Sequence, residues 1–470
     1  MQTSNSFLHR ARKLLVGNRA FYAMVLAIVV PIIIQNAITN FVNLLDNIMV
    51  GKIGTDQMAG VSIANQLLFV TNLCIFGGMA GAGIFAAQYH GADNQEGVRY
   101  CFRYKMYLSV ILALLFVLIF GLAGSPLISL YLNESDAPER IALTLGYGVD
   151  YLNLMLLGIA PFAVTQAYVS TLRETGETTL PMRAGIIAVF VNLVLNYILI
   201  YGHLGFPALG VRGAAIATVI SRFVELGIVV VSTHTHPEKF RFINGAYRSL
   251  RVPLPLCKQV TVKGMPLLVN EALWSLGMAM LARCYSLRGL DVVAALNISN
   301  TVANLFNVVF LSMGNATAII IGQELGAQEI DTAKDHAWKL TAFSLACCIA
   351  TGIVLAIASP FIPMIYNTEE HIRHLATQFL LVCGACMPLF SFTNSCYFIL
   401  RSGGKTMVTF VFDCVFSWVV SIPIAYALVH FTSLNIIAVY LLVQMADLIK
   451  CILGFILVKK GIWIHNMVSD

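Results

Sequence analysis

Twelve long apolar stretches recur from one end of this 470-residue chain to the other. About 20 apolar residues suffice for a helix to cross a bilayer. In lipid every backbone polar group must be satisfied within the chain, so a spanning segment has little choice but helix or closed barrel. Spans are predicted over 20–44, 59–87, 104–123, 143–170, 184–201, 211–233, 260–282, 292–320, 340–358, 374–400, 407–429 and 434–458. The expected class is therefore an all-α integral membrane protein with twelve transmembrane helices. Composition agrees: 58% of residues are hydrophobic and 11% charged, against roughly 25% charged in soluble domains.

The basic residues sort by loop. Of 29 lysines and arginines, twenty-one fall in the two tails and the alternate loops that share their side. Six fall in the opposite loops, and Arg222 and Lys450 lie within spans. The positive-inside rule then places both termini in the cytoplasm of a cell (inner) membrane protein. Residues 1–19, with Arg10, Arg12, Lys13 and Arg19, read as a cytoplasmic segment rather than a signal peptide, and 459–470 as a cytoplasmic tail. The net charge of +6 needs no nucleic-acid partner. The 11 cysteines are scattered through apolar runs, which argues against a disulfide framework. Cys383 and Cys386 form a CxxC inside a span, where helix packing explains them better than metal or redox chemistry.

The chain repeats itself. Pro31, Ile63, Asn65, Asn72, Gln88 and Gly91 recur as Pro266, Ile298, Asn300, Asn307, Gln323 and Gly326, at a constant offset. "LRETGET" (172–178) recurs as "LRSGGKT" (400–406). Six spans per half give parallel repeats about an axis along the membrane normal. The expected organisation is an N-lobe over 20–233, an inter-lobe loop over 234–259 and a C-lobe over 260–458. Two such lobes around a midplane cleft, exposed to each side in turn, suit a transporter.

Polar residues inside spans are costly and mark function by default. In "QNAITNFVNLLDN", Asn36, Asn40, Asn43 and Asp46 share one helical face. Asp46 either faces an interior cavity or simply ends the helix in water. Asn192 and Asn196, four apart, also share a face. Glu271 stands in "MPLLVNEALWSLGMAML" and carries protons, partners a cationic substrate, or bonds Asn300 or Asn304. Asp413 either serves as a second acid in its half or pairs with Lys405 or Arg401. Arg222 with Glu225, and Asp447 with Lys450, read as pairs within their own helices. Phe41, Trp274, Met278, Met280, Phe306, Tyr397 and Trp418 are candidate cleft residues, since aromatic faces attract organic cations and methionine adapts to varied shapes. The glycines at 77, 78, 81 and 83 predict close helix packing or a bend.

Four stretches carry a family resemblance: "LLDNIMVGKIGTDQMAGVSIANQ" (44–66), "TLRETGETTLPM" (171–182), "VNLVLNYILIYGHLGFPALGVRGAAIATVISR" (191–222) and "MPLLVNEALW" (265–274). With the repeat, they cover nearly the whole chain, which resembles the multidrug and toxic compound extrusion (MATE) family of the MOP superfamily. The resemblance implies two six-helix lobes. It also implies export of amphipathic, often cationic, compounds driven by inward sodium ions or protons. Asp46 then matches the N-lobe coupling carboxylate. Asn192, Asn196 and Thr218 match the remaining N-lobe cation ligands, hard oxygen donors that suit a small cation. Glu271 matches the C-lobe acid, with Asn300 and Asn394 as polar neighbours. Asn36, Asn40, Asn43, Phe41, Trp274, Met278 and Tyr397 would line the substrate cleft. Two departures stand out. Some members have aspartate where this chain has Asn196. Some carry a second C-lobe acid in span ten, where this chain offers only Asn394 and Tyr397.

An enzyme is not expected: no P-loop lysine, nucleophile–base set or metal-spaced histidine cluster is present. No cofactor is expected beyond a bound sodium ion, and the chain reads as a monomer. A lipid-linked oligosaccharide flippase of the same superfamily is the alternative. Its pyrophosphate-bearing substrate would call for more intramembrane basic residues than this chain has. A sensor or channel fits the repeat less well.

Overall fold

The computed structural model describes residues 15–132, 137–366 and 368–469; the side chains of Asn43, Leu44, Asn47 and Leu290 lie outside the described set. So do Arg10, Arg12 and Lys13. Twelve helices are long and apolar enough to cross a membrane. They are α1 (Arg19–Gly51), α2 (Thr55–Gly91), α3 (Gln95–Ser129), α4 (Pro138–Glu174), α5 (Thr179–Tyr201) and α6 (Val211–Thr235), followed by α7 (Leu254–Ser286), α8 (Leu290–Gly326), α9 (Ile330–Ala358) and α10 (Glu370–Ser402). The last two, α11 (Thr406–Phe431) and α12 (Ile436–Lys459), are internally irregular. Most helices run a turn or more beyond the predicted spans, because hydropathy marks the lipid-buried part and not the capped ends.

The repeat is visible in the elements. α7 begins and ends 235 residues after α1, and α8 begins and ends 235 residues after α2. α1 and α7 carry Pro31 and Pro266 inside the helix, and α4 and α10 carry Pro161 and Pro388. Proline removes a backbone bond and favours a bend. Bilayer helices tolerate it because neighbouring groups re-satisfy the freed carbonyl.

The chain forms two compact units. One, termed here the N-terminal unit, comprises residues 34–86 and 94–264. The other, the C-terminal unit, comprises the described residues up to 33, residues 87–93 and residues from 265 onward. The division falls inside α1 and α7 and at the end of α2, so the ends of these helices belong to the opposite half of the sequence repeat.

Lipid tails are as apolar as leucine, so helix association depends on close packing of small residues. In the N-terminal unit, a Cβ on Gly81 would lie 2.5 Å from Gly264 Cα, and one on Gly60 would lie 2.6 Å from the Thr144 carbonyl oxygen. The predicted close approach at the α2 glycines is thus realised at Gly81. In the C-terminal unit the repeat-related ends of α2 and α8 cross reciprocally. A Cβ on Gly91 would sit 1.8 Å from the Gln323 carbonyl oxygen, and one on Gly326 would sit 1.9 Å from that of Gln88. The Gln88 side chain, fully buried, donates to the carbonyls of Ser402 (3.0 Å) and His465 (3.2 Å) and accepts from Met467 N (2.7 Å). Cys383 and Cys386 are buried free thiols in α10.

Candidate functional site: two intramembrane polar centres

The first centre lies in the N-terminal unit. Asp46 stands near the end of α1, half-buried. Asn196 of α5 donates to Asp46 Oδ1 at 2.6 Å. With the Asn192 amide oriented by its hydrogen bonds, its nitrogen lies 3.1 and 3.2 Å from the two Asp46 oxygens and its oxygen accepts from the Thr218 hydroxyl at 3.2 Å. Asn192 and Asn196 are 3% and 1% exposed. The Asn196 carbonyl oxygen is buried without a hydrogen-bond partner. An unmatched buried acceptor costs roughly 1–3 kcal/mol.

The local sequence explains this assembly. α5 ends at Gly202, which takes φ 75° in the left-handed region that glycine reaches without strain. α6 then turns back immediately. A Cβ on Gly213 would lie 2.5 Å from the Leu199 carbonyl oxygen, so only glycine lets α6 approach α5 closely enough to bring Thr218 to Asn192. The conspicuous "GVRGAA" motif is thus a packing device that serves the site.

Two members went unrecognised in the sequence. Tyr151 of α4, 5% exposed, donates to Asn65 Oδ1 of α2 at 3.2 Å. Its hydroxyl lies in the fields of Asp46 and Arg222. The Gly60–Gly148 approach of α2 and α4 sets this contact one turn away. A signal existed for Asn65, which is a repeat-matched intramembrane asparagine. Nothing in the sequence distinguished Tyr151 from the other 16 tyrosines.

Arg222 lies one turn beyond Thr218. Among the described residues no ion pair joins it to Glu225, contrary to expectation. Its guanidinium sits 4.3 Å from the Phe162 ring centroid and borders a crevice with Thr71 and Asn72. The i,i+3 spacing permitted a pair, but the aromatic face on α4 offered a flat, desolvated partner.

The second centre lies in the C-terminal unit and differs from expectation. Among the described residues Asp413 bonds to neither Lys405 nor Arg401. Its Oδ1 accepts from Lys450 Nζ of α12 at 2.6 Å, and its Oδ2 from Asn270 Nδ2 of α7 at 3.2 Å. Lys450 therefore pairs across helices rather than with Asp447 in its own. Local irregularity places both groups. Asp413 lies within a π-helical turn, Val411–Val415, of α11, and α12 is interrupted at Ala446, four residues before Lys450. Such widened turns re-aim side chains and are frequent at functional sites. Trp418 Nε1 donates to the Leu273 carbonyl at 3.0 Å and ties α11 to α7.

Glu271, next to Asn270, lies in the fields of Arg401 and Asp413. Among the described residues it has no hydrogen bond to Asn300, Asn304 or Asn394. Asn300 is exposed, and Asn394 donates to the Phe310 carbonyl at 2.8 Å. The predicted trio Glu271, Asn300 and Asn394 is therefore not gathered. Asn394 is a helix-to-helix tie, and Asp413, Lys450 and Asn270 stand where the trio was expected.

Of the aromatic and methionine candidates, Phe41 is exposed on the N-terminal unit, and Trp274 and Met278 are exposed on the C-terminal unit. Tyr397 is packed inside, with its ring edge-on to Phe398 at 5.2 Å. Asn36 and Asn40 are half-buried on α1; the Asn43 side chain lies outside the described set. Among the described residues no group of three or more His, Cys, Asp or Glu side chains could hold a metal ion.

A profile of the MatE family matches residues 31–198 and 266–427, one match in each half of the repeat. The chain belongs to the MatE family. It is 25% identical over 412 residues to the "Probable multidrug resistance protein NorM" of Halalkalibacterium halodurans, spanning 87% of this chain and 88% of that one. It is 26% identical over 414 residues to the "Probable multidrug resistance protein YoeA" of Bacillus subtilis, spanning 87% and 88%. Among solved structures, it superposes on an outward-facing multidrug resistance MATE family transporter of the MOP superfamily with a TM-score of 0.85. Identity there is 20%, with 95% of this chain and 97% of the other covered. A Pyrococcus furiosus MOP superfamily transporter matches with a TM-score of 0.81 at 19% identity, covering 96% and 97%. These likenesses establish the fold. The chain is a multi-pass membrane protein of a transporter family, not an enzyme.

Proposed function

We propose that this MatE-family protein is a secondary active transporter in the cell membrane, with both termini cytoplasmic. It exports amphipathic, often cationic, organic compounds in exchange for sodium ions or protons. The observation that carries the reading is the Asp46 centre. There a carboxylate, two buried amides and a hydroxyl converge, one amide oxygen lacks a partner, and among the described residues no basic side chain neutralises the acid. Hard oxygen donors of this kind suit a small cation. A cation bound there would occupy the unmatched Asn196 oxygen and neutralise Asp46. Two states of the N-terminal unit would then differ in cation affinity, and the gradient would shift their populations. Pro31 in α1, four turns before Asp46, is the natural place for that helix to bend. Phe41 is exposed in the N-terminal unit and Trp274 and Met278 in the C-terminal unit, and aromatic and thioether groups of this kind suit an organic cation.

The relatives named as multidrug resistance proteins support this substrate class over a lipid-linked oligosaccharide. So does the acidic or neutral character of the Asp46 centre. The test is efflux of a fluorescent cationic dye from proteoliposomes under a sodium gradient and, separately, a pH gradient. Wild-type export driven by one gradient, and lost in Asp46→Asn, is the expected result. No dye movement under either gradient with folded protein would refute the reading.

A further inference from the structure

We propose that Lys450 is a built-in counter-cation that occupies, in the C-terminal unit, the role a free coupling cation would take beside Asp46. The protein would then take up its coupling ion at the N-terminal centre alone. The inference rests on the cation-coupled reading above and deepens it.

The two centres share an aspartate–amide pair and differ in what stands beside it. Each has an aspartate engaged by a buried amide: Asn196 to Asp46 at 2.6 Å, and Asn270 to Asp413 at 3.2 Å. Each amide leaves its carbonyl oxygen buried without a partner. Beside Asp46 the remaining neighbours are an amide and a hydroxyl. Beside Asp413 stands the Lys450 ammonium, 2.6 Å from Oδ1 and 8% exposed. Phe412 and Phe416 lie 5.4 and 5.9 Å from Nζ. Their faces stabilise a cation on the side away from the carboxylate. The other charges around the pair are Asp447, one turn before Lys450, together with Glu271 and Arg401.

A lysine ammonium is a compact monovalent point charge on a flexible stem. Bonded to a buried carboxylate, it does what a bound sodium ion would do, but it cannot leave. A buried carboxylate stripped of that partner must either take a proton or recruit another cation. Removing the lysine side chain should therefore convert a fixed charge into an exchangeable site for a small monovalent cation.

The test uses purified full-length protein in detergent, with sodium or methylammonium chloride as probe and choline chloride as the bulky control. In Lys450→Ala, thermal stability should fall in choline and recover by several degrees as sodium or methylammonium is added. Lys450→Arg should show no cation dependence beyond that of wild type. Asp46→Asn/Lys450→Ala should keep the added dependence, and Asp413→Asn/Lys450→Ala should fall back to the wild-type response. If Lys450→Ala does not fold, the neutral double variant Asp413→Asn/Lys450→Met serves, read by sodium stoichiometry. It should bind as many sodium ions as wild type. A Lys450→Ala protein no more cation-dependent than wild type, or a wild-type sodium ion lost in the neutral double variant, would overturn the proposal. None of these readouts requires transport. Failed dye export with cation-dependent Lys450→Ala stability would sink only the coupling role. The opposite pattern would sink the built-in cation.

Discussion

The N-terminal and C-terminal units put the same kind of group, an aspartate inside a helix bundle, to opposite ends. Asp46 is surrounded by neutral donors: Asn196, Asn192 and, through it, Thr218. Asp413 is neutralised by Lys450. The carboxylate alone therefore does not define the chemistry. Whether the neighbouring helix supplies an amide or an ammonium decides whether the acid stands beside neutral donors or in an ion pair. A buried pair is hard to break, because removing one partner strands the other charge. An acid held by amides leaves a place for a mobile ion.

The comparison can be broken by exchanging those roles. The largest expected effect is on transport. Asp46→Asn should reduce gradient-driven dye export about 100-fold or more, since even outer-shell ligand losses cost roughly 10–100-fold. Its thermal stability should change little, because no cationic side chain is stranded. Unchanged export in that variant would overturn the role of the N-terminal centre. Asp413→Asn should behave in the reverse manner. It strands the Lys450 ammonium and should cost about 3–5 kcal/mol of stability, much of it recovered in Asp413→Asn/Lys450→Met. A double-mutant cycle by chemical denaturation in detergent measures this coupling, and additive losses would contradict the pairing. A smaller effect sharpens the contrast. Asn196→Asp adds a second carboxylate to the Asp46 centre and should tighten cation binding about tenfold, in line with affinity tuned by ligand charge count. Sodium-dependent stabilisation would report it, and weaker binding would mean that the amide is itself required. Smallest is Gly213→Ala, where the new Cβ would press on the Leu199 carbonyl 2.5 Å away. Overpacking of this kind costs about 1–3 kcal/mol and should shift Thr218, weakening cation binding several-fold. Calorimetric titration with sodium checks it, and wild-type affinity would show that the α5–α6 approach does not tune the site.

Much of this was legible before any coordinates. Span count followed from hydropathy, and the repeat from matches that kept one offset. Asp46, Asn192, Asn196 and Thr218 were named together only because a family resemblance linked them. Spacing put Asn192 with Asn196, but could not put either beside Asp46. The second centre was misread for a physical reason. Asp447 and Lys450 satisfy the i,i+3 rule, and a local pair is the cheapest guess. The break at Ala446 and the π-helical turn around Asp413 re-aim the side chains, and neither irregularity has a period to detect. Asn394 was misassigned for a similar reason. A polar residue inside a span announces that it must be satisfied, not what satisfies it. Here the partner is a backbone carbonyl, Phe310 O, which no side-chain pattern reveals.

The sequence by itself determined that this chain spans a membrane twelve times in two related halves, because lipid admits few structures and hydropathy is a one-dimensional quantity. It also determined where close helix approaches are allowed, since only glycine vacates the space at positions such as 81, 91, 213 and 326. Only the tertiary structure decided which acid is held by amides and which is paired with an ammonium. That choice depends on hydrogen bonds of 2.6 to 3.2 Å between residues up to 150 positions apart.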